Sequence, residues 1–363
     1  MILDFYLARK FLWTFLGMFF VFMVLLGLID LVDELQDFPD LPFAEVVRIV
    51  LLNMPQENYE FLPLVLILSS VALFMRLARS SELVVVRSAG RSALRGLLAP
   101  LTVALLIGMI SVTMLNPIVA GTAKLAKDVE NSHAEGGTSI LALSSEGLWL
   151  RQGGPTGQTV IHSERASSDL DVLFDTTFIS FSPDGEPLRR ITARRATLGE
   201  GEWHVTDAKI WDLTPGRNAE AAARRLETLS VPSELTRDSI VDSFGKPEYI
   251  LIWDLPEFIS QLEGAGFSAR RYAVWFQMEL ARPIYLMALV VMTAAFTMRH
   301  ARLSNAGVSV LSAVLLGFGL HYIRNFAQVL GENGQIPVML AAWAPPVAGL
   351  LMATGIFLHM EDG

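Results

Sequence analysis

Residues Phe11–Ile29 read FLWTFLGMFFVFMVLLGLI, a stretch without a single charge. A helix that crosses a bilayer needs roughly 20 predominantly apolar residues at about 1.5 Å each, so this stretch is expected to span one. Working outward, similar uncharged runs follow at Gly96–Ala123, Leu303–Ile323 and Asn333–Met360. Two weaker runs complete a set of six. Phe61–Met75 is short and needs Tyr59 or Ala78 at its ends, and Tyr272–Met298 carries Glu279 and Arg282. A polar block between the third and fourth runs, Lys124–Arg271, can fold only in water. The expected layout is a first membrane half, residues 1–123, with spans at about 11–34, 57–78 and 96–121. A soluble domain, 124–271, follows, and then a second half, 272–363, with spans at about 272–298, 303–325 and 335–359. Composition agrees, with 52% hydrophobic residues, 18% charged and a mean hydropathy of +0.44. Such a layout suits moving or sensing something lipidic and argues against a cytosolic enzyme.

Orientation follows from where Lys and Arg sit. Arg9 and Lys10 precede the first span, and Arg299 and Arg302 join the fourth to the fifth. The second–third connection holds Arg76, Arg79, Arg87, Arg91 and Arg95 against one acid, Glu82. The first span exits instead into Asp30, Asp33, Glu34, Asp37 and Asp40. Both termini are therefore expected in the cytoplasm and the soluble block outside it. The net charge of −9 largely reflects these acidic segments and carries no nucleic-acid inference. The first apolar core is about twice the length of a signal-peptide core, and no small-residue cleavage site follows, so an uncleaved anchor is expected. The absence of cysteine excludes disulfides and thiol chemistry.

Within the soluble block, short runs rich in β-branched and aromatic residues predict strands at Ser139–Arg151, Thr159–Ala166, Val172–Ser182, Leu188–Leu198, Glu202–Leu213 and Arg225–Val231. Turn sequences separate them: GGPTG at 153–157, PDGE at 183–186, GEGE at 199–202 and TPGRN at 214–218. This pattern predicts an antiparallel sandwich or open barrel. Glu202–Leu213 alternates only fairly, with Trp203, Val205, Asp207 and Lys209 expected on one face. Asp254 as N-cap, Pro256 and Gly264 bracket a short helix at about 255–263. His133, His162 and His204 match no metal spacing, and no P-loop, G-x-S-x-G or H-E-x-x-H occurs. The block reads as a binding or conduit module rather than a catalytic one.

The one dense constellation runs from Arg76 to Gly90, RLARSSELVVVRSAG. It predicts a helix continuing from the second span, with Glu82 between Arg79 and the aliphatic run Leu83–Val86. Exposed aliphatics and one acid inside a basic rim suit docking into a groove on a soluble partner. They equally suit an interfacial helix whose arginines bind anionic lipid and whose Glu82 pairs with Arg79 at i,i+3. Composition alone leaves both readings open.

The stretch RSSELVVVRSAG, 79–90, closely resembles the motif of the LptF/LptG (YjgP/YjgQ) permease family of lipopolysaccharide export. Similarity extends through DFYLARKFLWTFL at 4–16, LIDLVDEL at 28–35, FLPLVLILSS at 61–70, GLWLR at 147–151 and AAWAPP at 341–346. Length and the terminal LHMEDG look like the G branch of the family as found in alphaproteobacteria. The resemblance implies a membrane α-helical fold, six spans in a 3+3 order, with an inserted periplasmic all-β jellyroll-like domain. It implies the inner membrane as location and lipopolysaccharide as substrate. The implied partners are an LptF-like six-span subunit, an LptB-like ATPase dimer and an LptC-like single-span protein. ATP and magnesium belong to the ATPase, so no cofactor and no catalytic residue is expected in this chain. The matching positions Arg79, Glu82, Leu83, Val86, Arg87 and Gly90 would form the coupling helix that seats in the ATPase.

One departure stands out. Basic residues near the external end of the first span help hold lipid phosphates in well-known members, whereas here the stretch carries Asp30, Asp33, Glu34, Gln36 and Asp37. Substitute cations are Arg282 in the fourth span and Arg324 at the end of the fifth, since charge inside a membrane is costly enough to suggest a role. The plainer alternatives are that Arg282 pairs with Glu279 and that Arg324 snorkels to the interface. Competing readings of the whole chain are the F-type subunit of the same transporter, a lipoprotein-release permease, and a membrane-anchored scaffold without transport.

Overall fold

The structure is a computed structural model that describes residues 2–39, 41–80, 82, 92–133, 142–144, 147–154, 157–167, 172–182, 185–199, 201–213, 218–233, 235–236, 246–264, 268–298 and 306–362. Two compact units emerge: Met1–Lys127 with Arg270–Gly363, and Asp128–Ala269.

The first unit is helical. Its elements are α1 (Ile2–Asp37), α2 (Phe43–Arg79), α3 (Ala93–Ile110), a π-helical turn at Ser111–Leu115 that runs into α4 (Asn116–His133), and later α6 (Arg270–Thr297), α7 (Ala306–Glu332) and α8 (Val338–Asp362). Among the described residues, six stretches are long and apolar enough to cross a membrane, α3 and α4 forming one of them. Several helices outrun the apolar stretches that announce them. α2 begins at Phe43, a dozen or so residues before the expected span, because backbone hydrogen bonding continues through Glu45, Arg48, Gln56 and Glu57 once the helix is nucleated. α1, with 36 residues, would reach about 54 Å.

α6 is the centre of this unit. Its run Leu286–Ala295 is almost wholly buried, as expected for a helix apolar on every side. It packs against α8, α7, α3 and α2. At Gly108 of α3 a Cβ would stand 2.5 Å from the Pro283 Cα, so glycine there permits the close α3–α6 crossing. α1 is fixed mainly along its first half, where Leu7, Phe11 and Phe15 enter the common core with Leu66, Phe74 and Leu77 of α2 and Leu97 of α3. The remainder is open: only 6% of the most apolar window of α1 is buried, and 22% of that of α7.

The second unit is β-rich. Strands β1 (Ala142–Ser144), β2 (Gly147–Gly154), β3 (Gly157–Ala166), β4 (Val172–Phe181), β5 (Pro187–Leu198), β6 (Glu202–Asp212) and β7 (Arg224–Pro232) form one antiparallel sheet in sequence order. The expected inserted all-β domain is thus present. Its described strands pair in sequence order, each antiparallel to the next, as a meander. The single run expected at Ser139–Arg151 is a hairpin of β1 and β2, paired Ala142 to Trp149 through Ser144 to Gly147. The sheet curls on itself: Gln152 of β2 donates to the Pro232 carbonyl at 3.1 Å and accepts from the Ser233 hydroxyl at 2.8 Å. Leu148, Leu150, Ile161, Phe178, Ile191, Trp203 and Val205 line its packed side. A short helix α5 (Leu255–Gly264) lies against β1, and the Asp254 carbonyl accepts from the Phe258 amide at its start.

A line of irregular positions crosses this sheet. Asp175 and Asp207 have φ of 49° and 59°, and the regular pairing of β4, β5 and β6 passes over Asp175, Arg194 and Asp207. The inward-facing residues change parity there: Leu173 then Thr176 and Phe178, Ala193 then Ala196, Val205 then Ala208. The register is the same on both sides of the line, Phe174 to Arg195 and Thr176 to Ala193, so the irregular residues lie opposite one another and the strands turn their faces together. This corrects the expected face of β6. Trp203 and Val205 share one face, as expected, and it is the buried one, but Asp207 stands at the irregular position and Ala208 takes the next inward place.

Candidate functional site

Chemistry-bearing side chains of the helical unit gather in two places. The first is where α1 begins and α2 ends. Glu82 is the residue of the Arg79–Gly90 segment, beyond Arg79 and Ser80, that lies among the described residues; Leu83, Val86, Arg87 and Gly90, and the expected helix over 79–90, lie outside them. Its carboxylate does not await a partner from its own helix. Lys10 Nζ reaches Oε1 and Oε2 at 2.8 Å each, the Tyr6 hydroxyl donates to Oε2 at 3.1 Å, and the Ser80 hydroxyl donates to Oε1 at 2.9 Å. Lys10 also donates to the Tyr6 oxygen at 3.0 Å and lies 5.1 Å from the Tyr6 ring centroid. Partial burial resists ionisation of Glu82, yet its bonds to Lys10 and Ser80 outweigh that and hold the carboxyl below its ordinary range. A third of the Glu82 side chain remains open.

The second place lies inside the bundle. Glu279 is fully buried and Arg282 is 6% exposed. Arg282 donates from Nε at 3.2 Å and from Nη2 at 2.7 Å to Glu279 Oε1, and from Nη1 at 3.3 Å to the Tyr59 carbonyl. Its guanidinium stacks 3.8 Å from the Tyr59 ring centroid, while the Tyr59 hydroxyl donates to Glu279 Oε2. Asn116, the first residue after the π turn, also hydrogen-bonds the Tyr59 side chain. A π turn beside a polar cluster in a membrane helix re-aims a side chain that a regular helix would place elsewhere. The expected i,i+3 pairing of Arg282 with Glu279 is therefore what the bundle contains.

Arg324 is different. It is 7% exposed and lies 5.0 Å from the Tyr285 ring, but its Nε and Nη2 have no hydrogen-bond partner among the described residues. It is buried rather than snorkelling. Around it the Tyr285 hydroxyl meets His321 Nδ1 at 3.1 Å, and Asn325 Nδ2 meets His321 Nε2 at 3.1 Å. Tyr59, Tyr285, His321 and Asn325 were not among the residues singled out from sequence. A signal existed for two of them: His321 and Asn325 sit with Arg324 on neighbouring turns of an otherwise apolar helix.

The acidic stretch at the far end of α1 is partly engaged with α2. Asn53 donates to Glu34 Oε1 at 3.2 Å, and the Asp30 carboxyl lies close to that of Glu57. It offers no cation to an anionic ligand.

Comparison with known proteins follows the same layout. A family model described as the lipopolysaccharide export system permease LptF/LptG matches residues 5–359. The lipopolysaccharide export system permease protein LptG of Haemophilus influenzae is 24% identical over 319 residues, 86% of this chain and 85% of that protein. The protein of the same name from Escherichia coli K12 is 22% identical over 312 residues, 85% of this chain and 81% of that one.

Proposed function

Because the chain belongs to the lipopolysaccharide export system permease LptF/LptG family, we propose that it is a permease subunit, of the G type, of the transporter that extracts lipopolysaccharide from the inner membrane. The match carries this reading because it runs through both helical halves and the inserted β domain without a break. The relatives' name, LptG, favours the G subunit over its F-type companion.

In the proposed assembly both termini face the cytoplasm and the β domain faces the periplasm. An LptF-like subunit of the same layout packs along α1 and α7, whose apolar faces are little buried within this chain. Lipid enters laterally between them. An LptB-like ATPase dimer supplies the energy, and an LptC-like helix adds to the membrane part. Each CH₂ held in the bilayer is worth about 0.8 kcal/mol, so a lipid with several acyl chains leaves only when work is done on it. The segment starting at Arg79 and Glu82 transmits that work from the ATPase, which is why this chain needs no nucleotide site of its own. Closure of the cavity then drives the lipid toward the β domain.

Arg324 is the residue of choice for a lipid phosphate. Its Nε and Nη2 donors sit in a low-dielectric interior where an anion would be bound strongly, whereas Arg282 directs its donors at Glu279 and Tyr59. Purification in mild detergent tests the assembly: an ATPase and a second six-span subunit should accompany the chain. Recovery of the chain alone, under conditions that keep it folded, would leave the scaffold reading in its place. A photoreactive residue at position 324 should capture lipopolysaccharide, and an adduct confined to α1 would remove Arg324 from the path.

A further inference from the structure

The Glu82 cluster couples two elements that the sequence does not connect. Glu82 follows α2, where the segment proposed to seat in the ATPase begins, while Lys10 and Tyr6 belong to the first turns of α1. Four hydrogen bonds meet on one carboxylate, and three of them come from α1. Two of those carry full opposite charges at 2.8 Å, the strong class of hydrogen bond. The geometry of α1 makes this attachment consequential. Leu7, Phe11 and Phe15 lock its first half into the core, and beyond them the helix is mostly open to lipid or to a partner. A pull on Glu82 therefore acts on the packed end of a long helix whose outer part is mostly uncovered and meets α2 again through Glu34 and Asn53.

We propose that Lys10 and Tyr6 are positioning residues that tie the coupling segment at Glu82 directly to α1, so that movement imposed at Glu82 by the ATPase is passed to the lipid-facing first helix. Lys10 supplies the charge and the two short bonds. Tyr6 orients the ammonium, accepting a hydrogen bond from it with its ring centroid 5.1 Å away, and adds its own bond to Oε2. Ser80 sets the rotamer of Glu82 from within its own segment. Neither α1 residue touches lipid or nucleotide in this role; both act through Glu82. The inference rests on the reading that this segment engages an ATPase.

The experiment uses the full transporter, reconstituted with lipopolysaccharide, and measures ATPase association, ATP hydrolysis and lipopolysaccharide released per ATP. Lys10→Met should keep the ATPase bound and hydrolysing while release per ATP falls about fivefold or more, the low end of ordinary coupling factors. Lys10→Arg, which retains the charge and the stacking, should restore release to near the native level. Tyr6→Phe removes one oxygen and should lower release per ATP roughly threefold at unchanged hydrolysis. An intact Lys10→Met complex with native release per ATP would overturn the proposal. Should Lys10→Met fail to assemble, the Tyr6→Phe ratio decides instead, and an unchanged ratio rejects the tie. Failure of the underlying reading looks different: Glu82→Ala would leave ATPase association intact whatever the α1 variants do.

Discussion

Breaking the Glu279–Arg282 pair should cost far more than deleting it. Both side chains are buried, and Arg282 places two donors on Glu279 Oε1 at 3.2 and 2.7 Å while the Tyr59 hydroxyl bonds the other oxygen. Glu279→Gln preserves the shape and leaves an uncompensated guanidinium in the bundle. Arg282→Met leaves a buried carboxylate whose remaining described partner is Tyr59. Removing one member of a buried pair typically costs about 3–5 kcal/mol, whereas replacing both by apolar residues of similar volume is often close to neutral. Glu279→Met with Arg282→Met should therefore be more stable than either single variant, giving a coupling energy of roughly 3 kcal/mol in a double-mutant cycle. Tyr59→Phe removes one bond to a charged group and should cost about 1.5–3 kcal/mol. Thermal unfolding of the detergent-solubilised chain, followed by loss of the monodisperse species, reads the order. Single variants as stable as the native chain, or a double variant as damaged as the sum of the singles, would refute a closed ion pair.

Three further outcomes are expected. Trp203 is fully buried but its indole N–H has no partner among the described residues, so Trp203→Phe should cost little; Trp203→Ala should cost about 3–5 kcal/mol, seen as faster hydrogen exchange in β5–β7. Asp207 pays for a left-handed backbone at φ 59° and makes only an exposed 3.9 Å contact with Arg194, so Asp207→Gly should slow exchange in β6 by stabilising it about 1 kcal/mol. The Glu82 carboxyl is depressed because Lys10 and Ser80 overcome its partial burial. A depressed carboxylate contributes fully above its unfolded value, about 4.3, and loses that contribution as pH falls through the lower folded value. Infrared difference spectra, assigned with Glu82→Gln, should show Glu82 still ionised at pH 5, and a midpoint at or above the ordinary glutamate value would contradict the Lys10 contact.

Much of the architecture was written locally. Runs such as Phe11–Ile29 announce spans because a bilayer accepts little else of that length, and turn sequences such as PDGE at 183–186 punctuate the strands. What could not be read depended on distance in sequence or on a single dihedral. Glu82 finds Lys10, 72 residues away, rather than its helix neighbour Arg79, and nothing in the RSSELVVVRSAG motif encodes that choice. Arg282 and Glu279 were legible as an i,i+3 pair, but the Tyr59 and Asn116 that complete the cluster arrive by packing and by a π turn. The weak alternation of β6 was the trace of the left-handed residue Asp207, visible only once its positive φ is known.

The most direct test is depletion of this chain in its own cells, followed by pulse-labelling of newly made lipopolysaccharide and separation of the two membranes. A permease subunit of the export transporter predicts label accumulating in the inner membrane while the outer membrane receives none. Label reaching the outer membrane at the normal rate after the chain is gone would contradict the account.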